Sequence, residues 1–177
     1  MAWALSVIGV LVVMVSIVMF IGARLPRDHV AAVRVRPTAP PDTVWALLAD
    51  PYSATSWRKD VRKIVRIPDI GGHEAWAETT SSGVITFELI ESTPPLRRVT
   101  RIADASLPFG GQWEHDLAPS GTGTELTVTE RGFVKPALFR FMARYVFGYT
   151  STINDYLVAL GAKLGAQVVP EVTVSGR

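Results

Sequence analysis

One long amphipathic segment constrains what the rest of this chain can fold into. From Pro136 to Leu164, apolar residues recur at steps of three and four, which is the spacing of one helical face. This stripe consists of Leu138, Met142, Tyr145, Tyr149, Ile153, Tyr156, Leu160 and Leu164. A helix with such a stripe needs a cover, and most of the chain before it reads as short alternating strands. The sequence therefore predicts an α+β fold in which an antiparallel sheet wraps around a long C-terminal helix.

The predicted strands follow one another closely, with one longer connection. We predict seven strands, at residues 29–36, 61–67, 74–80, 84–91, 97–103, 112–117 and 124–133. Between the first two strands, Pro41 begins a short helix and a second helical turn follows at residues 52–57. Gly148 interrupts the pattern of the long helix, so we expect a kink or a close approach to the sheet there. Residues 165–177 show little pattern and are predicted to be a tail.

The turns of two hairpins predict which residues face the core. If Ser82 and Gly83 form a two-residue turn, the inward side of the first hairpin carries a carboxylate. The predicted pairs there are Thr80 with Ile85, Glu78 with Phe87, and Trp76 with Leu89. The loop at residues 119–123 sets the second hairpin in the same way. Its predicted pairs are Leu117 with Leu126, His115 with Val128, and Trp113 with Glu130.

The N-terminal segment forms a separate unit. Residues 2–23 contain no charged residue, and a helix of this length spans about 33 Å, enough to cross a hydrocarbon core of about 30 Å. We predict a transmembrane helix over residues 1–24 and a folded domain over residues 28–164. Arginines follow the span and no Lys or Arg precedes it, which predicts a single-pass membrane protein with its N-terminus outside and its domain in the cytoplasm. The alternative is a cleaved signal peptide, although such peptides have a basic segment before a shorter apolar core.

Composition and motifs limit the function classes. The absence of cysteine excludes disulfides and thiolate chemistry. The three histidines have no metal-ligand spacing, and no phosphate-binding, dinucleotide-binding or serine-hydrolase motif occurs. A net charge of +2 without an aromatic-interleaved basic stripe does not support nucleic-acid binding. We therefore predict no metal, no cofactor and no nucleic-acid partner, and the sequence leaves the oligomeric state undefined.

Three stretches resemble a known superfamily. They are Pro-Asp-Thr-Val-Trp-Ala-Leu-Leu-Ala-Asp-Pro at 41–51, Trp57, and residues 113–132, where Gly-Thr-Glu-Leu-Thr-Val-Thr-Glu at 123–130 is the most specific part. Together they resemble the START-like (SRPBCC) superfamily, and within it the polyketide cyclase/dehydrase and lipid-transport group. The resemblance implies a helix-grip fold, in which a seven-stranded antiparallel sheet encloses a hydrophobic cavity against the C-terminal helix. It implies no single function, because members include lipid carriers, plant hormone binders and aromatase/cyclases.

The cavity implied by this resemblance supplies the candidate site residues. The predicted ligand-binding residues are Trp76, Glu78, Phe87, Trp113, His115, Glu130, Tyr145 and Tyr149. An inward carboxylate near an imidazole is also the arrangement of an acid/base pair, so Glu130 and His115 are the candidate catalytic residues. The same two residues also fit a structural role, with Glu130 bonded to backbone or arginine and His115 part of the wall, and such buried polar groups are commoner than catalytic ones.

The sequence favours a membrane-anchored protein that binds a hydrophobic small molecule, namely a lipid, a quinone-like or a polyketide-like compound. Two other functions stay open. One is a cyclase or dehydratase that uses the cavity acid/base residues. The other is a non-catalytic adaptor, whose cavity is filled by its own side chains and whose basic face docks a membrane complex. That basic face would comprise Arg58, Lys59, Arg62, Lys63 and Arg66, with Arg140 and Arg144 on the helix. An open cavity would argue against the adaptor.

Overall fold

In a computed structural model, which describes residues 2–176, an eight-stranded antiparallel sheet packs against helices. The strands are β1 (Asp28–Val35), β2 (Val61–Ile70), β3 (His73–Thr80), β4 (Gly83–Thr93), β5 (Arg97–Ile102), β6 (Phe109–Ser120), β7 (Gly123–Val134) and β8 (Glu171–Ser175). The helices are α1 (Ala2–Arg24), α2 (Pro41–Ala49), α3 (Ala137–Met142) and α4 (Ser151–Lys163), with a 3₁₀ helix at Pro51–Ser56 and a π-helical turn at Ala143–Phe147. The strand order is β2-β3-β4-β5-β6-β7-β1-β8.

The core lies between α4, α2 and one part of the sheet. Its buried residues come from β1, β6, β7 and the two helices. Ile153, Leu157 and Leu160 on α4 are at most 1% exposed, and full burial of each such side chain is worth about 2 kcal/mol. This arrangement confirms the predicted α+β, helix-grip fold.

The segment predicted as one helix from Pro136 to Leu164 is helical on both sides of Gly148 but is broken there, where a kink was one of the two expectations. Gly148 has φ of +78°, a conformation that glycine adopts readily and that ends the helical segment before it. A Cβ at Gly148 would meet nothing within 4 Å, so this glycine supplies a break rather than the expected close approach to the sheet. Only the part of the apolar stripe after the break is buried, and Tyr145 before it is 59% exposed.

The predicted C-terminal tail instead contributes the eighth strand. β8 pairs antiparallel with β1 and covers that edge of the sheet. Val172 and Val174 alternate with polar residues, which is a strand pattern too short to stand out in the sequence. Glu171 adds ion pairs with Arg34 at 3.1 Å and Arg36 at 2.9 Å.

In both hairpins the side chains face the side of the sheet that the sequence predicted, but the strand pairing differs from the prediction in one of them. All three predicted pairs of the β6–β7 hairpin are confirmed. In the β3–β4 hairpin the turn lies one position earlier than predicted, so Glu78 pairs with Ile85 and Trp76 with Phe87. The predicted pairs of that hairpin are therefore wrong by two residues. A shift of two keeps every side chain on its own face, so the predicted facing is unaffected.

Helix α1 extends from the domain and is long and apolar enough to cross a membrane. Its segment Ser6–Arg24 has a mean hydropathy of 2.7. The same length and composition also fit a signal sequence. The C-terminal end of α1 packs on α3, where a Cβ at Gly22 would overlap the backbone of Ala137. Arg140 Nε donates to the carbonyl oxygen of Gly22 at 2.8 Å, so this arginine caps α1 and does not lie on the predicted basic face.

Candidate ligand-binding cavity

A cavity of about 300 Å³ lies between the sheet and the helices. Its walls come from inward residues of β3 to β7, from α2 and the 3₁₀ helix, and from α4. The apolar part of the wall includes Leu47, Trp57, Ile85, Phe87, Ile102 and Trp113. This volume is at the lower end of small-molecule pockets, which span about 300 to 1,000 Å³.

Six of the eight predicted ligand-binding residues line this cavity. They are Trp76, Glu78, Phe87, Trp113, His115 and Glu130. The other two, Tyr145 and Tyr149, do not line it. Tyr145 belongs to the segment before the break at Gly148, and Tyr149 lies in the break itself. Tyr145 is exposed and packs beside Phe141, with ring centroids 5.0 Å apart. Tyr149 stacks on His29, with ring centroids 4.5 Å apart.

The two candidate catalytic residues do not contact each other. Glu130 Oε1 lies 3.3 Å from Nε2 of His29, a partner that the sequence did not suggest. Within residues 2–176, no hydrogen bond or ion pair joins Glu130 to His115, and neither ring nitrogen of His115 has a hydrogen-bond partner. Burial, together with the positive charge of Arg98, lowers the pKa of His115 to about 3. His115 is therefore a neutral part of the wall at physiological pH.

Glu78 is held by two donors at the other side of the cavity. Nε1 of Trp76 donates to its Oε1 at 3.1 Å, and Nη1 of Arg58 donates to its Oε2 at 3.0 Å. Arg58 also bonds Asp60 at 2.8 Å. Arg58 is therefore paired with two carboxylates, and it lines the cavity instead of joining the predicted basic face of strand two.

Arg98 is the cavity residue that the sequence analysis missed. It lies on β5 opposite His115 of β6, is 7% exposed, and places its guanidinium carbon 5.4 Å from the ring centroid of Trp76. Across the described chain, no carboxylate oxygen lies within 4.0 Å of its guanidinium nitrogens. Burial lowers the pKa of Arg98, but a guanidinium keeps its charge at neutral pH. Arg97 and Arg101 on the same strand pair with acidic residues, and only the register of β5 distinguishes them from Arg98.

Tyr156 forms the α4 side of the wall. Its ring makes an edge contact with Trp113, with centroids 5.3 Å apart, and lies 5.7 Å from the His115 ring. Burial raises the pKa of Tyr156 to about 12. The phenol therefore keeps its proton and is a hydrogen-bond donor at the cavity wall.

Comparisons with known proteins match this architecture. The sequence model of the family described as "Polyketide cyclase / dehydrase and lipid transport" matches residues 28–158. No curated protein matches the sequence. A START superfamily protein from Mycobacterium smegmatis is similar in structure, with a TM-score of 0.62 and 15% identity over 77% of this chain and 97% of that chain.

Two further solved structures show the same likeness. A conserved protein from Geobacillus kaustophilus has a TM-score of 0.64 and 16% identity over 80% of this chain and 99% of that chain. A norcoclaurine synthase point mutant from Thalictrum flavum, in complex with a transition-state analogue, has a TM-score of 0.60 and 12% identity over 77% of this chain and 94% of that chain. At these identities the likeness establishes the fold alone.

The buried His115 makes the stability of the domain depend on pH. Its pKa is about 3 when folded and 6.5 in its ordinary state, so below about pH 6.5 the unfolded chain binds the additional proton and stability falls as the pH falls. Between about pH 8 and pH 5 we expect the free energy of unfolding to fall by about 2 kcal/mol because of this residue. Denaturant unfolding of the full chain and of His115→Leu at both pH values measures the difference.

The wild-type chain should lose about 2 kcal/mol more than His115→Leu on acidification. His73→Leu is the control, because it removes an imidazole at the β2–β3 turn outside the cavity, and it should keep the wild-type difference. Identical losses in wild type and His115→Leu would contradict the burial of a neutral imidazole.

Proposed function

The chain belongs to the polyketide cyclase/dehydrase and lipid transport family, as its sequence resemblance predicted, and on this basis we propose that it binds a hydrophobic small molecule in the cavity. We also propose that α1 anchors the protein to a membrane. The observation that carries the binding function is the open cavity of about 300 Å³ with aromatic and aliphatic walls. The ligand classes that suit these walls are lipids, quinone-like compounds and polyketide-like compounds.

The cavity supports ligand binding over the adaptor function. An adaptor with a self-filled core needs no internal space, whereas this domain leaves room beside Trp76, Phe87 and Trp113. Apolar ligand surface that leaves water for these walls gains about 25 cal/mol per Å². A ligand that comes from lipid gains much less, so its selection would depend on shape and on the few polar groups of the wall.

The contact between α1 and α3 supports a retained anchor. Arg140 is buried and donates to the carbonyl oxygen of Gly22, so removal of α1 would take away an acceptor of a buried charged group. Only residues 25–27 separate α1 from β1, which would keep the cavity close to the membrane surface. The arginines that follow α1 favour a cytoplasmic domain.

A catalytic function receives less support from the geometry. The acid/base pair that the sequence suggested would need His115 to exchange a proton with Glu130 or with the ligand. His115 is held neutral by burial, and Glu130 pairs with His29 instead. The residues around the cavity therefore favour binding over acid/base chemistry.

Narrowing the cavity should abolish binding of an apolar probe. Thr100 is a small residue at the wall, so Thr100→Phe should weaken binding of 9-anthracenemethanol to the full chain in mild detergent by about tenfold or more, through loss of space. Energy transfer from the cavity tryptophans to the anthracene ring measures the dissociation constant.

Thr86→Phe is the matched control for this experiment. By strand alternation, Thr86 of β4 points to the sheet face opposite Ile85 and Phe87, and it does not line the cavity. Its variant should bind the probe like wild type, within about twofold. An absence of binding by wild type, or equal binding by wild type and Thr100→Phe, would refute a ligand-binding cavity.

A further inference from the structure

We infer that the ligand of this cavity carries an anionic group, a carboxylate or a similar oxyanion, that binds Arg98. This inference rests on the proposed ligand-binding function and adds the chemical class of the ligand. Its basis is a buried positive charge that no carboxylate of residues 2–176 contacts within 4.0 Å.

A buried and unpaired arginine is costly. Charged side chains are almost never fully buried unless they are paired, and the penalty for an uncompensated buried charge is several kcal/mol. In the described structure, the contact that Arg98 makes through its charged group is with the face of Trp76. A cation–π contact is weaker than this penalty and offsets only part of it.

The carboxylates of the cavity are already engaged. Glu78 accepts hydrogen bonds from Trp76 and Arg58 at its two oxygens. Glu130 lies on β7, separated from β5 by β6, and pairs with His29. Asp60, the third carboxylate of the wall, bonds Arg58. None of these carboxylates therefore contacts the guanidinium of Arg98, and Glu78 attracts it only over a longer distance.

When a ligand fills the cavity, the charge of Arg98 determines which kind of ligand binds favourably. The guanidinium lines the cavity, so solvent can hydrate it while the cavity is empty. A neutral apolar ligand would expel that solvent and leave the guanidinium of Arg98 without hydration, which is unfavourable. A ligand with a carboxylate replaces the lost hydration with charge-assisted hydrogen bonds, and the planar guanidinium fork suits two parallel bonds to such a group.

Neighbouring groups complete a site for an apolar acid. The hydroxyl of Thr100 and the phenol of Tyr156 line the same cavity and are further donors. The rings of Trp76 and Phe87 stack with centroids 5.9 Å apart and provide a flat apolar wall beside the guanidinium. The site therefore fits a molecule with a flat or extended apolar body and one oxyanion.

The test compares two probes that differ in charge. The full chain in mild detergent is titrated with 9-anthracenecarboxylate and with neutral 9-anthracenemethanol, and energy transfer from the tryptophans gives both dissociation constants. Arg98→Met removes the charge and keeps an extended apolar side chain. Arg101→Met removes the same charge from the outer end of β5, where Arg101 bonds Glu88 at 2.8 Å outside the cavity.

After normalisation to the detergent partition of each probe, wild type and Arg101→Met should prefer the carboxylate. Arg98→Met should lose about tenfold in carboxylate affinity and should bind the alcohol at least as tightly as wild type, because no cation is left to desolvate. Partition into detergent is common to all three proteins and cancels in this comparison. Equal carboxylate affinity in wild type and Arg98→Met would overturn the inference. Binding of neither probe by wild type would refute the proposed function itself.

A second inference comes from an exposed apolar surface beside α1. We propose that this surface, the α3 patch, inserts into the interfacial layer of the bilayer that holds α1. It comprises Leu138, Phe139, Tyr145, Val146 and Phe147, which are 44–64% exposed. The proposal rests on the membrane anchor proposed above and is independent of the nature of the ligand.

The position of the α3 patch identifies lipid as its partner. α3 packs on the last turn of α1 through Gly22 and Ala137, so the patch continues the apolar surface of α1. Exposed arginines at Arg24, Arg27 and Arg144 border the two segments. A cluster of exposed aromatic and aliphatic side chains next to basic residues is the arrangement of an interfacial membrane helix.

The absence of cysteine makes the α3 patch directly testable. Three single-cysteine variants of the full chain are each labelled with one environment-sensitive fluorophore and reconstituted into vesicles that contain anionic lipid. The variants are Phe147→Cys in the α3 patch, Val13→Cys in α1 and Val84→Cys at the start of β4. Nitroxide-labelled lipids then report which positions lie in the bilayer. Position 84 is the aqueous control, because Val84 is 56% exposed on a hairpin outside the α3 patch.

Positions 13 and 147 should be quenched and position 84 should not. Quenching at position 13 without quenching at position 147 would contradict insertion of the α3 patch and would still support α1 as a membrane anchor. An unquenched fluorophore at position 13 would refute the anchor and, with it, the insertion of the α3 patch.

Discussion

The short span of α4 is the constraint on which the rest of the structure depends. This helix has 13 residues and buries Ile153, Leu157 and Leu160 against β1, β6, β7 and α2. It does not fill the space above the inner face of β3 to β5, and this uncovered face lines the cavity. A continuous helix from residue 136 would have kept its whole apolar stripe on the sheet. The positive φ of Gly148 instead separates a core helix from an exposed segment beside α1.

The fold and the facing of its strands were predictable, because both follow from local periodicity. Alternation and turn residues put His115, Glu130 and Glu78 on the inner face, and a two-residue error in the β3–β4 hairpin did not alter that result. At Gly148 the sequence indicated a kink, and the structure has a full break. Periodicity did not show that the segment before it is exposed, since a helical spacing of apolar residues continues on both sides of the glycine. β8 was missed because two valines in five residues are a weak pattern.

The contacts within the site could not be predicted from sequence periodicity, because they depend on which residues meet in the folded sheet. Arg97, Arg98 and Arg101 are alike in sequence. Only their positions in the sheet show that Arg97 and Arg101 pair with carboxylates, whereas Arg98 is buried against Trp76. The partner of Glu130 came from β1, far away in sequence. The cavity combines aromatic walls with a buried arginine that no carboxylate of the described residues contacts, and the domain follows a helix long and apolar enough to cross a membrane.

The central claim is that the cavity holds an apolar, anionic molecule, and native mass spectrometry of the full chain tests it most directly. The protein would be purified from the cells that produce it, released from detergent in the spectrometer, and compared with its denatured mass. The account predicts an additional mass that disappears on denaturation and whose released molecule is detected as a negative ion. A chain that carries no additional mass, or a reproducibly bound molecule without an acidic group, would contradict it.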